Sequence, residues 1–148
     1  MRTFLACLFL VLLQGCMALG PRFTPQAPPD ADSALLYVYR PAEFTNSAIT
    51  PELFVDNVKV AELTNGGYVV VTVRRGEHLI RLGLPGWRGE ASSTGYAGAG
   101  DSVYFRTFTT YQVTYPTGTR TFSLRRRYVD DGLREIAETK KIAAVDLR

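Results

Sequence analysis

Leu53-Phe54-Val55-Asp56-Asn57-Val58-Lys59-Val60-Ala61-Glu62-Leu63 is the stretch whose reading decides the fold. Leu53 to Val55 and Val58 to Leu63 have strand composition, and Asp56-Asn57 between them is a plausible tight turn, so a hairpin is predicted. The pattern continues downstream. Asn65-Gly66-Gly67 supplies residues tolerant of positive φ before Tyr68 to Val73, and Arg74-Arg75-Gly76 turns the chain into Glu77 to Leu82. Turns spaced about ten residues apart indicate an antiparallel meander rather than βαβ units.

Outward from this centre, Leu35 to Tyr39 reads as a strand that Pro41 ends. On the other side, Leu84 to Gly100 is broken by Pro85, Gly86, Gly89, Gly95, Gly98 and Gly100, which predicts a long exposed connection with one short strand. Ser102 to Tyr115 and Thr119 to Val129 are strands around the turn Pro116-Thr117-Gly118. Leu133 to Lys141 has the charge order of a short helix, with Asp130 or Asp131 as cap and Lys140 and Lys141 late. Leu133, Ile136 and Ala137 share a face expected to close one end of the fold. The expected fold is all-β: an immunoglobulin-like antiparallel β-sandwich of about seven or eight strands over residues 34–148, with a short C-terminal helix.

The N-terminus has a different grammar. Arg2 precedes an apolar run from Phe4 to Leu13, about half the roughly 20 residues that a spanning helix needs, and this is the layout of a secretory signal peptide. Leu13-Gln14-Gly15-Cys16 resembles the bacterial lipobox. That resemblance implies removal of residues 1–15, acylation of Cys16 and a durable membrane anchor, since two or three acyl chains hold where one does so only marginally. Ordinary cleavage after Ala18-Leu19-Gly20 is the alternative, which Pro21 should hinder. Cys7 lies too early in the apolar run to follow a complete signal. Met17 to Ser33 contains Pro21, Pro25, Pro28 and Pro29 and no apolar period, so residues 16–33 are expected to be a flexible tether behind the lipidated Cys16. Met17 is not an aspartate, which favours the outer membrane in enterobacterial-type sorting.

Removing 15 of the 148 residues leaves a chain sized for one domain with a real core. Only Cys16 then remains, so no internal disulfide forms and no cysteine serves metal, redox or nucleophilic chemistry. Without Arg2 there are 16 basic side chains against 14 acidic, too small an excess to argue for nucleic-acid binding.

Tyr39-Arg40-Pro41, Val55-Asp56-Asn57 followed by Leu63 and Gly67-Tyr68, and Gly76-Glu77-His78 with Val103-Tyr104-Phe105 and Arg134-Glu135-Ile136 resemble the bacterial domain of unknown function 2846. Members of that family are often lipoproteins. The central hairpins are also similar to PEGA-type envelope β-domains, with Asn57 where glycine is more usual. The resemblance implies a β-sandwich and brings no catalytic residues to carry over.

Candidates for chemistry are sparse. His78 is the only histidine and shares a strand face with Ile80 and Leu82; a hydrogen-bonded histidine at the core margin is the expectation, because catalysis needs a base and an orienting group together. No metal set, cofactor motif or Gly-x-Ser-x-Gly is present. Asp130-Asp131, the one adjacent acidic pair, reads as a helix cap, and Asp56 belongs to its turn. In Arg125-Arg126-Arg127, Arg125 and Arg127 point opposite to Arg126. They are weighed as edge protection against contact with an acidic headgroup or protein. Trp87 and Tyr96 fall in the glycine-rich connection, as a lid over the core or as a stacking surface for sugar.

The leading expectation is a non-catalytic binding or structural module, held to the membrane through Cys16 and facing an envelope protein partner. A carbohydrate or peptidoglycan binder using Trp87 and Tyr96 is the alternative, and an enzyme comes last. Cys16→Ser is expected to abolish metabolic incorporation of palmitate; persistent labelling would contradict the lipobox expectation.

Overall fold

Along β1 (Ser33–Tyr39) every residue is buried. Ala34, Leu36 and Val38 alternate with Leu35, Tyr37 and Tyr39, so the strand is apolar on both faces and needs cover on both. The computed structural model describes residues 17–28, 30–84, 91–114, 117–145 and 147, with backbone alone for 111–114 and 117–120. In it, β1 is the central strand of a five-stranded sheet of order β8-β7-β1-β4-β9. These neighbours are β4 (Gly67–Arg74), β7 (Ser102–Thr114), β8 (Thr117–Arg127) and β9 (Lys140–Lys141). A four-stranded sheet of order β3-β2-β5-β6 comprises β2 (Glu52–Val55), β3 (Val58–Glu62), β5 (Gly76–Gly83) and β6 (Ala91–Ala97).

Between the sheets lies the principal core, in which Leu36, Val38, Val69 and Phe105 meet Leu53, Val55, Ile80 and Leu82. The architecture is the expected all-β sandwich with a short C-terminal helix; its strand order is not a meander. β2 and β3 form the expected hairpin, and Asp56 and Asn57 both take positive φ, 49° and 69°, as a two-residue type I′ turn requires. β4 then leaves for the other sheet and pairs antiparallel with β1, while β5 returns to pair with β2. Turn residues show where a chain reverses and say nothing of which sheet it enters next. What draws β4 to β1 is burial: Val69 and Val71 face the core and Tyr68 the outer side. Two pairings, β1 with β7 and β4 with β9, are parallel.

The outer face of the five-stranded sheet carries a second core of Leu35, Tyr37, Tyr39, Tyr68, Tyr104 and Ile136. Tyr37 stacks on Tyr104 at 5.0 Å, and Phe23 packs edge-on against Tyr37 and Tyr68 at 5.5 Å each. Burial, with the neighbouring Tyr104, pushes the Tyr37 phenol up to about 12, so this layer stays un-ionised. The helix α1 (Val129–Ile136) closes it. The helix therefore starts earlier than expected and lies on a face of the sheet, not at an end of the sandwich. Its N-cap is Tyr128, without a side-chain cap bond, and Asp130 and Asp131 sit inside the first turn. Thr139 stops it, its N–H and hydroxyl both donating to Ile136 C=O at 2.9 and 2.6 Å, so Lys140 and Lys141 fall in β9. A Cβ on Gly132 would lie 2.5 Å from the Tyr104 ring; glycine lets the helix approach so closely. Leu133 and Ile136 pack inward, while Ala137 is exposed.

Part of the expected tether is folded. Ala18 N–H donates to Asn65 C=O at 3.1 Å, Lys141 N–H to Pro21 C=O at 2.8 Å and Phe23 N–H to Thr139 C=O at 3.2 Å. An extended, proline-bearing segment has no period of its own but makes a serviceable edge. In the glycine-rich connection, β6 is a full strand paired along β5.

Glu135 fastens α1 to the sheet. Tyr39 Oη donates to its Oε2 at 2.7 Å, Arg127 Nη2 donates to Oε1 at 2.7 Å, and Arg106 Nη1 lies 3.2 Å from Oε2. Burial by itself would push the carboxyl up, but the hydrogen bonds from Tyr39 and Arg127 and the charge of Arg106 outweigh it and hold the carboxyl below its usual range. A carboxylate with a folded pKa below its unfolded value, about 4.3, contributes stability that is complete above that value and is lost as pH falls through the folded one. Glu135→Gln is expected to cost about 2 kcal/mol at pH 7. In urea denaturation at stepped pH, its deficit against wild type should shrink below about pH 4.3.

Candidate functional site

β9 pairs with Gly67 and Tyr68 alone, the first two of the eight residues of β4. Arg40 N–H donates to Gly67 C=O on the β1 side, and Ile142 N–H donates to Tyr68 C=O on the other. Backbone groups alternate sides along a strand, so Val70 and Thr72 direct N–H and C=O away from β1, past the end of β9. Two cavities flank this edge and share Thr72. One, of about 320 Å³, is mixed in character, with Leu35, Val70, Ile142 and Val145 beside Gln26, Thr72 and Lys141. The other, of about 880 Å³, is charged and includes Asp30, Asp32, Arg74, Arg75 and His78. The C-terminal tail passes between the sheet edges, with Val145 N–H donating to Val60 C=O at 2.9 Å. Ala144, Val145 and Leu147 of the tail also line these cavities; where such an edge finds no backbone partner among the described residues, it has the chemistry for adding an extended segment.

The charged cavity also brings together an acid and a base that sequence spacing does not reveal. His78 Nδ1 lies 2.6 Å from Asp56 Oδ2, and Nε2 lies 2.7 Å from Arg74 C=O. Both ring nitrogens are hydrogen-bonded, one to a carboxylate and one to a carbonyl. Asp56 Oδ1 accepts from Leu79 N–H at 3.0 Å. Ser33, on the same cavity wall, donates its hydroxyl to Asp30 C=O at 3.0 Å. The nitrogen that would accept a serine proton is thus committed to a carbonyl, and the cluster ties the Asp56-Asn57 turn to β5. His78 occupies the core margin beside Ile80 and Leu82. Among the described residues no group of three His, Cys, Asp or Glu side chains could hold a metal ion.

The other candidates do not converge. Arg127 binds Glu135 and lies 3.7 Å from Asp131, so its guanidinium serves the helix. Arg125 is exposed, with its guanidinium 5.3 Å from the centre of the Phe108 ring. Tyr96 projects from β6 into solvent opposite Glu77. Cys16 and Trp87 lie outside the described residues.

Two residues matter more than their motifs suggest. Arg40, only 2% exposed, donates to Ile49 C=O at 2.5 Å and to Asn46 C=O at 2.7 Å. Burial pushes its guanidinium down from the usual arginine range, and it holds the β1–β2 loop in place. Asn65, also buried, exchanges two hydrogen bonds with the backbone of Glu43. A turn-forming Asn and a strand-ending Arg-Pro carry no sequence mark of these distant carbonyls.

With this geometry in hand, one comparison is positive: a family model described as a protein of unknown function (DUF2846) matches residues 30–115 of the 148-residue chain. No curated protein and no solved structure matches. The matched region holds Arg40, the Asp56–His78 pair and all of β4, and ends before β8 and α1.

Arg40→Met removes the charged donor from the loop carbonyls and is expected to cost about 3 kcal/mol. Urea denaturation measures it, and amide exchange should quicken first between Phe44 and Ile49.

Proposed function

The chain belongs to this family of proteins of unknown function, DUF2846, and from that footing we propose that it is a lipid-anchored module of the bacterial envelope. It acts without catalysis, by binding an extended protein segment at the open edge of β4. The observation that carries the reading is that β9 covers two of the eight residues of β4, while Val70 to Arg74 border two cavities. Main-chain bonds along such an edge supply affinity, and alternate side chains entering the cavities supply selectivity. The smaller cavity, where Leu35, Val70 and Ile142 stand beside Gln26 and Lys141, suits a side chain with an apolar stem and a polar end, and the charged one takes ionic ones through Arg74, Arg75 and the aspartates.

Location follows from the N-terminal segment. The lipobox-like Leu13-Gln14-Gly15-Cys16 supports a signal peptide ending at Gly15, acylation of Cys16, palmitate among the chains, and attachment to the outer membrane facing the periplasm. No helix among the described residues is long and apolar enough to cross a membrane. The PEGA-like hairpins fit the same setting. A second reading, binding of carbohydrate or peptidoglycan, is favoured by the exposed Tyr96 on β6, since an aromatic face stacks on sugar.

A photocrosslinking side chain at Thr72 in the full chain, irradiated in the envelope, is expected to yield one discrete protein adduct. Val70→Pro, which removes an edge N–H that no β1 bond uses, should abolish that adduct while leaving the fold intact. Adducts formed from position 96 and not from position 72 would move the binding surface to β6.

A further inference from the structure

Met17 and Leu19 are 52% and 75% exposed, while Ala18 between them is buried. An extended segment with this alternation turns one face to the domain and the other outward. Asn65 binds its inner side through the bond from Ala18, and the same residue holds Glu43 of the β1–β2 loop from both ends of its amide. One buried residue thus secures both, the entering chain through its backbone C=O and the loop through its side-chain amide. A Cβ placed on Gly66, next in sequence, would lie 3.3 Å from Ala42 Cβ and 3.5 Å from Met17 Cε, so loop and segment meet there.

Phe44 follows Glu43 and is 99% exposed. Its loop is not slack: Arg40 binds the carbonyls of Asn46 and Ile49, and Ser47 N–H donates to Phe44 C=O at 3.3 Å. An aromatic ring held wholly in water on a pinned loop, whose neighbours Ala42 and Glu43 meet the segment bearing two more outward apolar side chains, is surface built for an apolar phase. We propose that Met17, Leu19 and Phe44 form a rim that seats the folded domain directly on a lipid bilayer. The occupant follows from where the chain enters. The residue before Met17 is Cys16, and consecutive Cα atoms are about 3.8 Å apart, so acyl chains on Cys16 would leave the fold at the rim itself.

The inference rests on the lipid-anchor reading and deepens it. No spacer separates anchor from domain: the fold begins at the residue after the anchor, and apolar side chains reinforce acyl chains as a second membrane signal. β1 and β4 then run away from the bilayer, because the rim adjoins Arg40 and Gly67 while the N–H of Gly100, next in sequence to Ala99, donates to Ser33 C=O at the other end of β1. Seven residues of strand at about 3.3 Å each put those ends roughly 20 Å apart.

The test uses the full chain in vesicles of phosphatidylethanolamine and phosphatidylglycerol containing brominated lipid, with Leu19→Cys, Phe44→Cys or Ala99→Cys carrying an environment-sensitive fluorophore. Quenching at positions 19 and 44 should exceed that at 99 at least about threefold, given the depth difference. Equal, weak quenching at all three positions overturns the seating. Mass measurement of the wild-type chain reads the anchor separately. An acylated Cys16 with equal quenching refutes the rim alone, whereas an unmodified Cys16 refutes the anchor on which it rests.

Discussion

A strand with no solvent face sets the terms for this molecule. β1 is buried on both sides, and each side demands a different partner. The aliphatic side takes the second sheet, giving the sandwich. The aromatic side takes α1, Leu133 and Phe23, which lie across the outer face as a third layer. Remove the demand from that outer face and the helix has nothing to cover, Gly132 no ring to approach, and the entering segment no surface to follow.

Polar side chains that bridge elements hold these layers in register. Glu135 ties the helix to β1, β7 and β8; Asp56 and His78 tie a hairpin turn to β5; Arg40 and Asn65 fix the β1–β2 loop from two directions. Each is held by backbone or by opposite charge, with Arg40 Nε alone of these groups left without a hydrogen-bond partner. These groups are consumed in construction, so the surfaces proposed for binding are the β4 edge and the outward apolar side chains of Met17, Leu19 and Phe44.

How much of this was readable from the residues follows range. The Asp56-Asn57 turn and the inward face of His78, Ile80 and Leu82 are local patterns and came through. The β1–β7 parallel pairing joins distant parts of the chain and leaves no periodic mark. Arg127 reads as surface charge until Glu135 arrives beside it from the helix. Asp130 and Asp131 suit a cap, yet Tyr128 holds that place because the outer core pulls the helix start back to Val129. In residues 17–23 the prolines and the absent period describe an extended chain, and extended chain is equally the material of a tether and of a sheet edge. Open backbone at Val70 and Thr72 is invisible in sequence, since it depends on where β9 stops.

Phe23 sits between Tyr37 and Tyr68, and its backbone bonds to Thr139. Residues 18–23 thus take partners from both halves of the chain: Asn65, Tyr37 and Tyr68 early, Thr139 and Lys141 late. The contacts with Thr139 and Lys141 span most of the sequence and cannot close until nearly all of the chain is present, so topology sets the order in which this edge is completed.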